Sequence, residues 1–154
     1  MKAVIQRVNN ASVEIDGSVV SSIGCGFLIL LGVGCEDDET DAQILANKIA
    51  KLRVFTDEND KMNKSLSDVG GGALVISNFT LYANCTHGNR PDFFDSARPE
   101  IAEPLYEKFT ELLRGHGIEC GIGRFGADMK VALENDGPVT IILDSKMLKN
   151  KTRG

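Results

Sequence analysis

The stretch from Ala11 to Gly34, "ASVEIDGSVVSSIGCGFLILLGVG", decides the fold class of this chain. Its first half places alternating apolar and polar residues on both sides of Asp16-Gly17, a dipeptide typical of a tight β-hairpin turn. Its second half, "GFLILLGVG", is a nearly continuous apolar run, as expected for a central strand that is buried on both faces. The stretch therefore predicts antiparallel strands beside a buried strand.

The remaining sequence predicts more strands and two main helices. The helices are predicted over about 39–51, after an acidic start that suits a helix N-terminus, and over about 99–115. In the second helix, Pro104 either kinks a helix that begins at Pro99 or begins the regular helix itself. The predicted strands are "KAVIQRV", "LRVF", about 73–82, "IECGIG", "DMKVALEN" and "VTIIL". About eight strands without a repeat or linker predict an α+β fold of mostly antiparallel sheets in a single domain, 1–154.

The composition is that of an ordinary globular protein. The chain has 154 residues, of which 42% are hydrophobic and 25% are charged. The N-terminus lacks the apolar core of a signal peptide, and no run approaches the roughly 20 apolar residues of a membrane span. We infer a cytoplasmic protein. The net charge of −5 argues against a protein that coats nucleic acid by bulk electrostatics.

The sequence predicts neither a metal site nor a cofactor. The four cysteines (Cys25, Cys35, Cys85 and Cys120) lack C-x-x-C spacing, and the chain has only two histidines. The glycines of "DVGGGALV" precede a predicted strand, which is the wrong order for a phosphate-binding loop.

The segment "SNFTL" is a candidate site. On a strand, Asn78 and Thr80 would project from one face, and Ser77 and Phe79 from the other. The amide and the hydroxyl either form a reactive polar pair or serve as ordinary strand residues that bond to backbone.

Two further segments offer binding groups. The long loop that follows contains His87 and Arg90, and Arg90 would either bind a phosphate or carboxylate or form a surface ion pair. His87 is either a general base or a solvent-exposed side chain. In "GRFGADMKV", Phe125 lies between glycines and would either pack against a flat group such as a base or belong to the core.

Two segments near the C-terminus are ambiguous. "NDGPVT", from Asn135 to Thr140, is either a hairpin turn between two strands or a working part of the site. The basic tail over about 146–154 contains Lys146, Lys149, Lys151 and Arg153, and it is either solvated or in contact with RNA.

Several segments together resemble the D-aminoacyl-tRNA deacylases, also called D-tyrosyl-tRNA deacylases. The resemblance runs from residue 3 to about 145, in order and at the family's spacing. The matching segments are "AVIQRV", "ASVEIDG", "GFLILLGV", "LRVF", "KMNKSL", "SNFTLYA", "RPDF", "GRFGADMKV" and "NDGPVTIILDS".

The resemblance implies a barrel-like homodimer that hydrolyses the ester between a D-amino acid and tRNA, spares L-aminoacyl-tRNA, and needs no cofactor. A family signature of Ser, Gln and Thr at the active-site floor maps onto Ser77, Asn78 and Thr80. For such a site we expect backbone N–H groups around Phe79 and Thr80 to stabilise the oxyanion. Phe125 and Met129 match positions near the terminal adenosine of tRNA. The family's Gly-cisPro pair, which enters the partner subunit's site, maps onto Gly137 and Pro138, and Arg7 matches an arginine that holds this pair in place.

One departure from the family pattern concerns the site directly. Asn78 replaces the usual Gln and is one methylene shorter, a difference of about 1.5 Å. Asp92 also stands where Ser is common. Two alternatives to the deacylase are a non-catalytic nucleic-acid-binding homodimer and a small-molecule esterase. The sequence offers no Ser/Cys–His pair for the esterase.

Overall fold

The computed structural model describes residues 1–151, which form eight strands, three α-helices and one turn of 3₁₀ helix. In chain order these are β1 (Lys2–Ile15), β2 (Ser18–Ile23), β3 (Gly26–Gly32), α1 (Glu39–Lys51), β4 (Phe55–Thr56), β5 (Met62–Lys64), β6 (Gly72–Ser77), the 3₁₀ turn (Phe79–Tyr82), α2 (Pro99–Gly115), β7 (Cys120–Ile122), β8 (Lys130–Asp144) and α3 (Ser145–Lys151). None of the helices in this part of the chain is long and apolar enough to span a membrane.

Six strands form one mixed sheet that is nearly closed into a barrel. Its order is β2-β1-β3-β6-β7, and β8 also pairs with β1. The pairs that β1 makes with β2, β3 and β8 are antiparallel, as predicted, but the β3–β6 and β6–β7 pairs are parallel. Parallel neighbours need a crossover connection, and α1 and α2 supply the two crossovers.

The predicted central strand is confirmed. β3 lies between β1 and β6, and nearly all of its residues are buried. Phe27, Ile29 and Leu31 point into a core that α1 and α2 cover, whereas Leu28 points into a second cluster on the opposite face of the sheet. A strand that packs on both faces explains why the sequence from Gly26 to Gly32 shows no alternation.

Both predicted helices begin and end where the sequence indicates. The Asp38 side chain caps α1 and forms a capping box with Asp41. α2 begins at Pro99 and contains Pro104 in its interior, so Pro99 opens the helix.

The interpretation of "NDGPVT" as a hairpin turn is wrong. The two strands predicted on either side of it are one continuous strand, β8, and both halves run antiparallel to β1. The pairing register shifts between the two halves, near Asn135, so the segment is an irregularity within a strand. Asn, Asp, Gly and Pro favour turns and bulges alike, which is why the sequence pattern did not separate the two.

The described part of the basic tail is helical. Up to Lys151 the tail forms α3, and Arg153 lies outside the described residues. The Lys149 ammonium lies 2.8 Å from the Asp41 carboxylate, and the Lys146 ammonium lies 3.0 Å from Glu36. The acidic start of α1 therefore attracts the basic residues of α3, and the helix docks against it.

Replacing Asp41 by Asn is expected to lower the free energy of unfolding by about 2 kcal/mol at pH 7, because a buried carboxylate loses charged hydrogen bonds. Its oxygens accept hydrogen bonds from the Ser145 hydroxyl (2.6 Å), from Lys149 and from the backbone amide of Asp38 (2.9 Å). Burial acts to raise the pKa of Asp41, but these hydrogen bonds outweigh it and hold the pKa well below its usual range.

A carboxylate with a lowered pKa stabilises the fold above the unfolded-state pKa of about 4 and loses that contribution as the pH falls further. Urea unfolding of the wild type and of Asp41→Asn should therefore show the full difference in free energy of unfolding at pH 7. This difference should shrink steadily below about pH 4. A difference that is constant from pH 7 to pH 3 would contradict this role for the Asp41 charge.

Candidate active site

A pocket of about 790 Å³ opens at the end of β6. Its floor is the segment from Ser77 to Thr80, which joins β6 to the 3₁₀ turn. Its walls come from three places: the loop before α2, the loop from 125 to 129, and the ends of β3 and β8. Most of the lining is apolar, and the polar groups lie on the floor, an arrangement typical of a small-molecule site.

The floor is not the strand that the sequence predicts. β6 ends at Ser77, and Asn78 is the N-cap of the 3₁₀ turn. The Asn78 side-chain oxygen accepts hydrogen bonds from the backbone amide (3.2 Å) and the hydroxyl (2.5 Å) of Thr80. The strand alternation is therefore wrong, yet Asn78 and Thr80 do meet, because a short Asn side chain folds back onto the residue two positions ahead.

This cap decides which backbone donors are available. The Thr80 amide is occupied by Asn78, and the Asn78 amide donates to the Leu31 carbonyl at 2.8 Å. The first amides of a helical turn have no acceptor within the turn, and among the described residues none accepts from the Phe79 amide. The Phe79 N–H is thus a backbone donor on the pocket floor that has no acceptor among the described residues.

Aromatic rings flank this donor. The Phe79 ring is 57% exposed and meets Phe93 edge-on, with 5.0 Å between the ring centroids. Phe125 lines the pocket and also packs against the core, where its ring centroid lies 6.2 Å from that of Tyr106. Phe125 therefore contributes to the core and to the pocket lining, and its packing against a flat group such as a base stays a prediction.

The pocket lining contains no histidine and no cysteine. His87 and Arg90 of the long loop do not line it, so the structure does not bring these two candidates to the floor. The charged lining residues are Arg98 and Asp128, and Asp128 pairs with Lys130 at 3.3 Å. In the part of the chain that the structure describes, no three His, Cys, Asp or Glu side chains are grouped as metal ligands.

The Gly137–Pro138 peptide bond is cis, and both residues are exposed and do not line the pocket. The Arg7 guanidinium donates to the carbonyls of Asp136 (3.0 Å) and Val54 (2.7 Å) and lies 3.4 Å from the Asp136 carboxylate. On the other side, the Asn135 side chain accepts from the Val139 amide at 2.8 Å. The Gly-Pro pair is therefore fixed from both ends.

Several residues of the site are not evident from the sequence. Phe93 and Arg98 reach the pocket from the aperiodic loop before α2, and Asn135 bridges the Gly-Pro pair from within β8. The only signal for the first two was the length of their loop, since long loops often carry function. Asn135 lay inside a segment that resembled a simple turn.

Comparison with known sequences places the chain among named proteins. The family model described as "D-Tyr-tRNA(Tyr) deacylase" matches residues 4–144. A protein named D-aminoacyl-tRNA deacylase from Roseiflexus castenholzii is 57% identical over 149 residues, which cover 97% of this chain and 95% of the relative. A protein of the same name from Fervidobacterium nodosum is 55% identical over 146 residues, covering 95% of this chain and 98% of the relative.

Two solved structures are similar over nearly the whole chain. One is titled "c-Myc DNA Unwinding Element Binding Protein", with a TM-score of 0.87 and 43% identity over 94% of this chain and 98% of the other. The second is titled as a probable eukaryotic D-amino acid tRNA deacylase, with a TM-score of 0.80 over 93% of this chain and 98% of the other. The second is 14% identical, so that likeness concerns the fold.

Proposed function

This chain belongs to the D-Tyr-tRNA(Tyr) deacylase family, and we propose that it hydrolyses the ester bond of D-aminoacyl-tRNA on the pocket floor at Ser77 to Thr80. The products are free tRNA and a D-amino acid, and the reaction serves chiral proofreading in translation. The observation that supports the placement is the Phe79 amide on the pocket floor, which has no acceptor among the described residues, since a tetrahedral oxyanion needs such a donor.

The reaction needs little help, because an aminoacyl ester is already reactive. Water attacks the ester carbonyl, negative charge collects on the carbonyl oxygen, and the Phe79 amide stabilises it. The carbon–oxygen bond to the ribose then breaks, and the ribose oxygen takes up a proton. Asn78 and Thr80 position the turn that holds the donor, and Ser77 lines the floor beside it.

We do not assign Thr80 as the nucleophile. Its hydroxyl proton is directed to the Asn78 amide oxygen, which is not a base that can remove it. The pocket lining offers no histidine either. The group that orients the attacking water is therefore assigned to the substrate, as the 2′-hydroxyl of the terminal ribose.

Recognition of the tRNA end is assigned to the apolar part of the pocket. Phe79, Phe125 and Met129 offer flat or adaptable apolar surfaces for the terminal adenine. An enzyme that binds only the aminoacylated end needs few phosphate contacts, which is compatible with a net charge of −5. Arg98 at the pocket is the positive side chain placed best to meet a phosphate. Aminoacylation of tRNA takes place in the cytoplasm, and we infer that the protein is located there.

Selection against L-substrates is assigned to Gly137 and Pro138 of a partner subunit in a homodimer. Within one subunit the pair does not line the pocket, yet it is exposed and held rigid through Arg7. The two enantiomers are equally hydrophobic, so discrimination requires a rigid group that clashes with one of them. A steric filter of this kind does not exclude glycine, because glycine has no side chain that could clash. Glycyl-tRNA is therefore also expected to be hydrolysed.

Phe79→Ala is expected to lower kcat/KM for D-tyrosyl-tRNA about tenfold or more, since stacking on one base contributes about 1–3 kcal/mol. Phe94→Ala is the matched control, because Phe94 is also an exposed phenylalanine (87%) but does not line the pocket. Single-turnover deacylation of D-tyrosyl-tRNA measures both variants. Equal rates for the wild type, Phe79→Ala and Phe94→Ala would show that the pocket does not take part in the reaction.

The same assay separates the competing functions. Salt-dependent binding of tRNA without ester cleavage would indicate a nucleic-acid-binding protein, and cleavage of free D-tyrosine esters at the same rate would indicate a simple esterase. A tRNA that ends in 2′-deoxyadenosine should react poorly, and normal reaction would exclude the assigned role of the 2′-hydroxyl.

A further inference from the structure

The second end of the 3₁₀ turn is attached to a buried carboxylate that lies outside the pocket. The side chain of Asp37 is 1% exposed, and one of its oxygens forms an ion pair with the α-ammonium of Met1 at 2.7 Å. The same oxygen accepts hydrogen bonds from the backbone amide of Gly34 (2.6 Å) and the hydroxyl of Tyr82 (3.2 Å). A carboxylate buried in this way is costly unless its charge is fully compensated, so the arrangement is rigid.

Tyr82 is the last residue of the turn that carries the Phe79 amide. Its ring packs tightly against the segment after β3. A methyl group added at Gly34 would come within 2.9 Å of the ring, and one added at Gly32 would come within 3.2 Å. Lys2 belongs to β1, and its ammonium lies 4.6 Å from the centroid of the Tyr82 ring. The ring is thus closely packed, and its hydroxyl donates a hydrogen bond to Asp37.

The two ends of the turn are therefore held by different groups. At the first end, the Asn78 amide donates to Leu31 and the Asn78 side chain caps Thr80. At the second end, the Tyr82 hydroxyl donates to Asp37. Burial, and then the negative charge of Asp37, raise the pKa of Tyr82, so its hydroxyl remains a donor throughout the neutral pH range.

We propose that Asp37 and Tyr82 are a positioning pair that sets the orientation of the Phe79 amide toward the substrate carbonyl. The proposal rests on the proposed function, since it concerns the oxyanion donor of that reaction. Neither residue touches the substrate, and both act through the turn. A donor must lie about 2.7–3.1 Å from the position of the oxyanion. A misplacement of about 1 Å can cost 10²-fold in rate.

Tyr82→Phe tests the pair, because it removes the hydroxyl and keeps the ring. We expect kcat for D-tyrosyl-tRNA to fall about tenfold and KM to change less than twofold, since the pocket walls stay in place and only the donor moves. Tyr106→Phe is the matched control: it also removes a buried hydroxyl, which donates to the Val75 carbonyl at 2.7 Å, but that hydroxyl belongs to α2 and makes no hydrogen bond to the turn. It should leave kcat unchanged.

Asp37→Asn gives a second test of the same pair. The double variant Tyr82→Phe/Asp37→Asn should be no slower than Asp37→Asn alone, because the two residues act through one hydrogen bond. If Asp37→Asn does not fold, the comparison of Tyr82→Phe with Tyr106→Phe still decides. Equal effects of these two variants on kcat would overturn the proposal, as would a value for Tyr82→Phe within twofold of the wild type.

A readout without substrate separates this proposal from the proposed function. In a ¹H–¹⁵N NMR spectrum of the whole protein, the Phe79 amide signal should shift in Tyr82→Phe and stay in place in Tyr106→Phe. If the wild type lacks deacylase activity but the shift occurs, the proposed function fails and the positioning of the turn by Tyr82 stands. If the Phe79 signal does not move, the positioning pair is excluded whatever the activity.

Discussion

Gly26→Ala is expected to destabilise the protein by more than about 3 kcal/mol, the largest effect on stability that we predict for a single methyl group. Gly26 is the first residue of β3, and it pairs with Val8 of β1 on one side and with Gly72 of β6 on the other. A Cβ at this position would overlap the carbonyl oxygen of Gly72 and lie 2.8 Å from its carbonyl carbon.

The overlap cannot be relieved by rotating a side chain, because the obstructing atoms are backbone. β6 cannot move away easily, since it is paired with β3 and β7 and its residues from Ala73 to Ile76 are buried. Overpacking against a fixed backbone is one of the mechanisms that produce large destabilisation.

Gly24→Ala is the control, because a Cβ at Gly24 has no neighbour within 4 Å. Urea unfolding of the wild type and both variants, followed by circular dichroism, measures the effect. Gly24→Ala should lie within about 0.5 kcal/mol of the wild type. If Gly26→Ala were as stable as Gly24→Ala, this result would contradict the close contact between β3 and β6 at Gly26.

Gly137→Ala is expected to lower the ratio of D- to L-tyrosyl-tRNA hydrolysis about 100-fold, because a displaced pair no longer clashes with the L-substrate. Gly137 has a φ of +136°, which side chains other than that of glycine rarely adopt. A Cβ here would lie 2.8 Å from the Val139 side chain and 3.2 Å from the Arg7 guanidinium. Relief of these contacts displaces the segment that Arg7 holds, and the proposed filter loses its position in the partner subunit's pocket.

Deacylation of D- and L-tyrosyl-tRNA by this variant, with Gly24→Ala as the control, measures the effect. Thermal unfolding should remain close to that of the wild type, because the segment is exposed and its displacement is local. Wild-type rates in Gly137→Ala would exclude a role of the pair in selectivity.

The elements that the sequence predicts correctly are those whose signal is local. The apolar run of β3 and the acidic start of α1 are both visible within a few residues. The parallel pairs of β6 are not visible in this way, because the partners of a strand depend on where α1 and α2 return the chain. The continuity of β8 was missed for a related reason, since only its pairing with β1 on both sides of Asn135 distinguishes a bulge from a turn.

The candidate site shows the same division. Ser77, Phe79, Thr80, Phe125 and Met129 all line one pocket, and the family resemblance indicated each of them. The conformation at Asn78 was not predictable from strand periodicity, because a side chain that caps its own turn overrides the alternation. Asp37 and Tyr82 meet from positions 45 residues apart in sequence, and nothing in either local segment indicates the contact.

Asn78 itself has a definite role in this arrangement. Its short side chain reaches the amide and the hydroxyl of Thr80. The Asn78 side chain, which is shorter than the family's usual Gln, thus forms its hydrogen bonds within the turn. The backbone N–H of Phe79 remains the proposed donor for the oxyanion.

The most direct test of the central claim is the parallel hydrolysis of D-tyrosyl-tRNA and L-tyrosyl-tRNA by the wild-type protein. We predict rapid loss of the D-ester, while the L-ester decays at the rate of the enzyme-free control. Hydrolysis of neither ester, or of both at similar rates, would contradict the claim that this chain is a chiral proofreading deacylase.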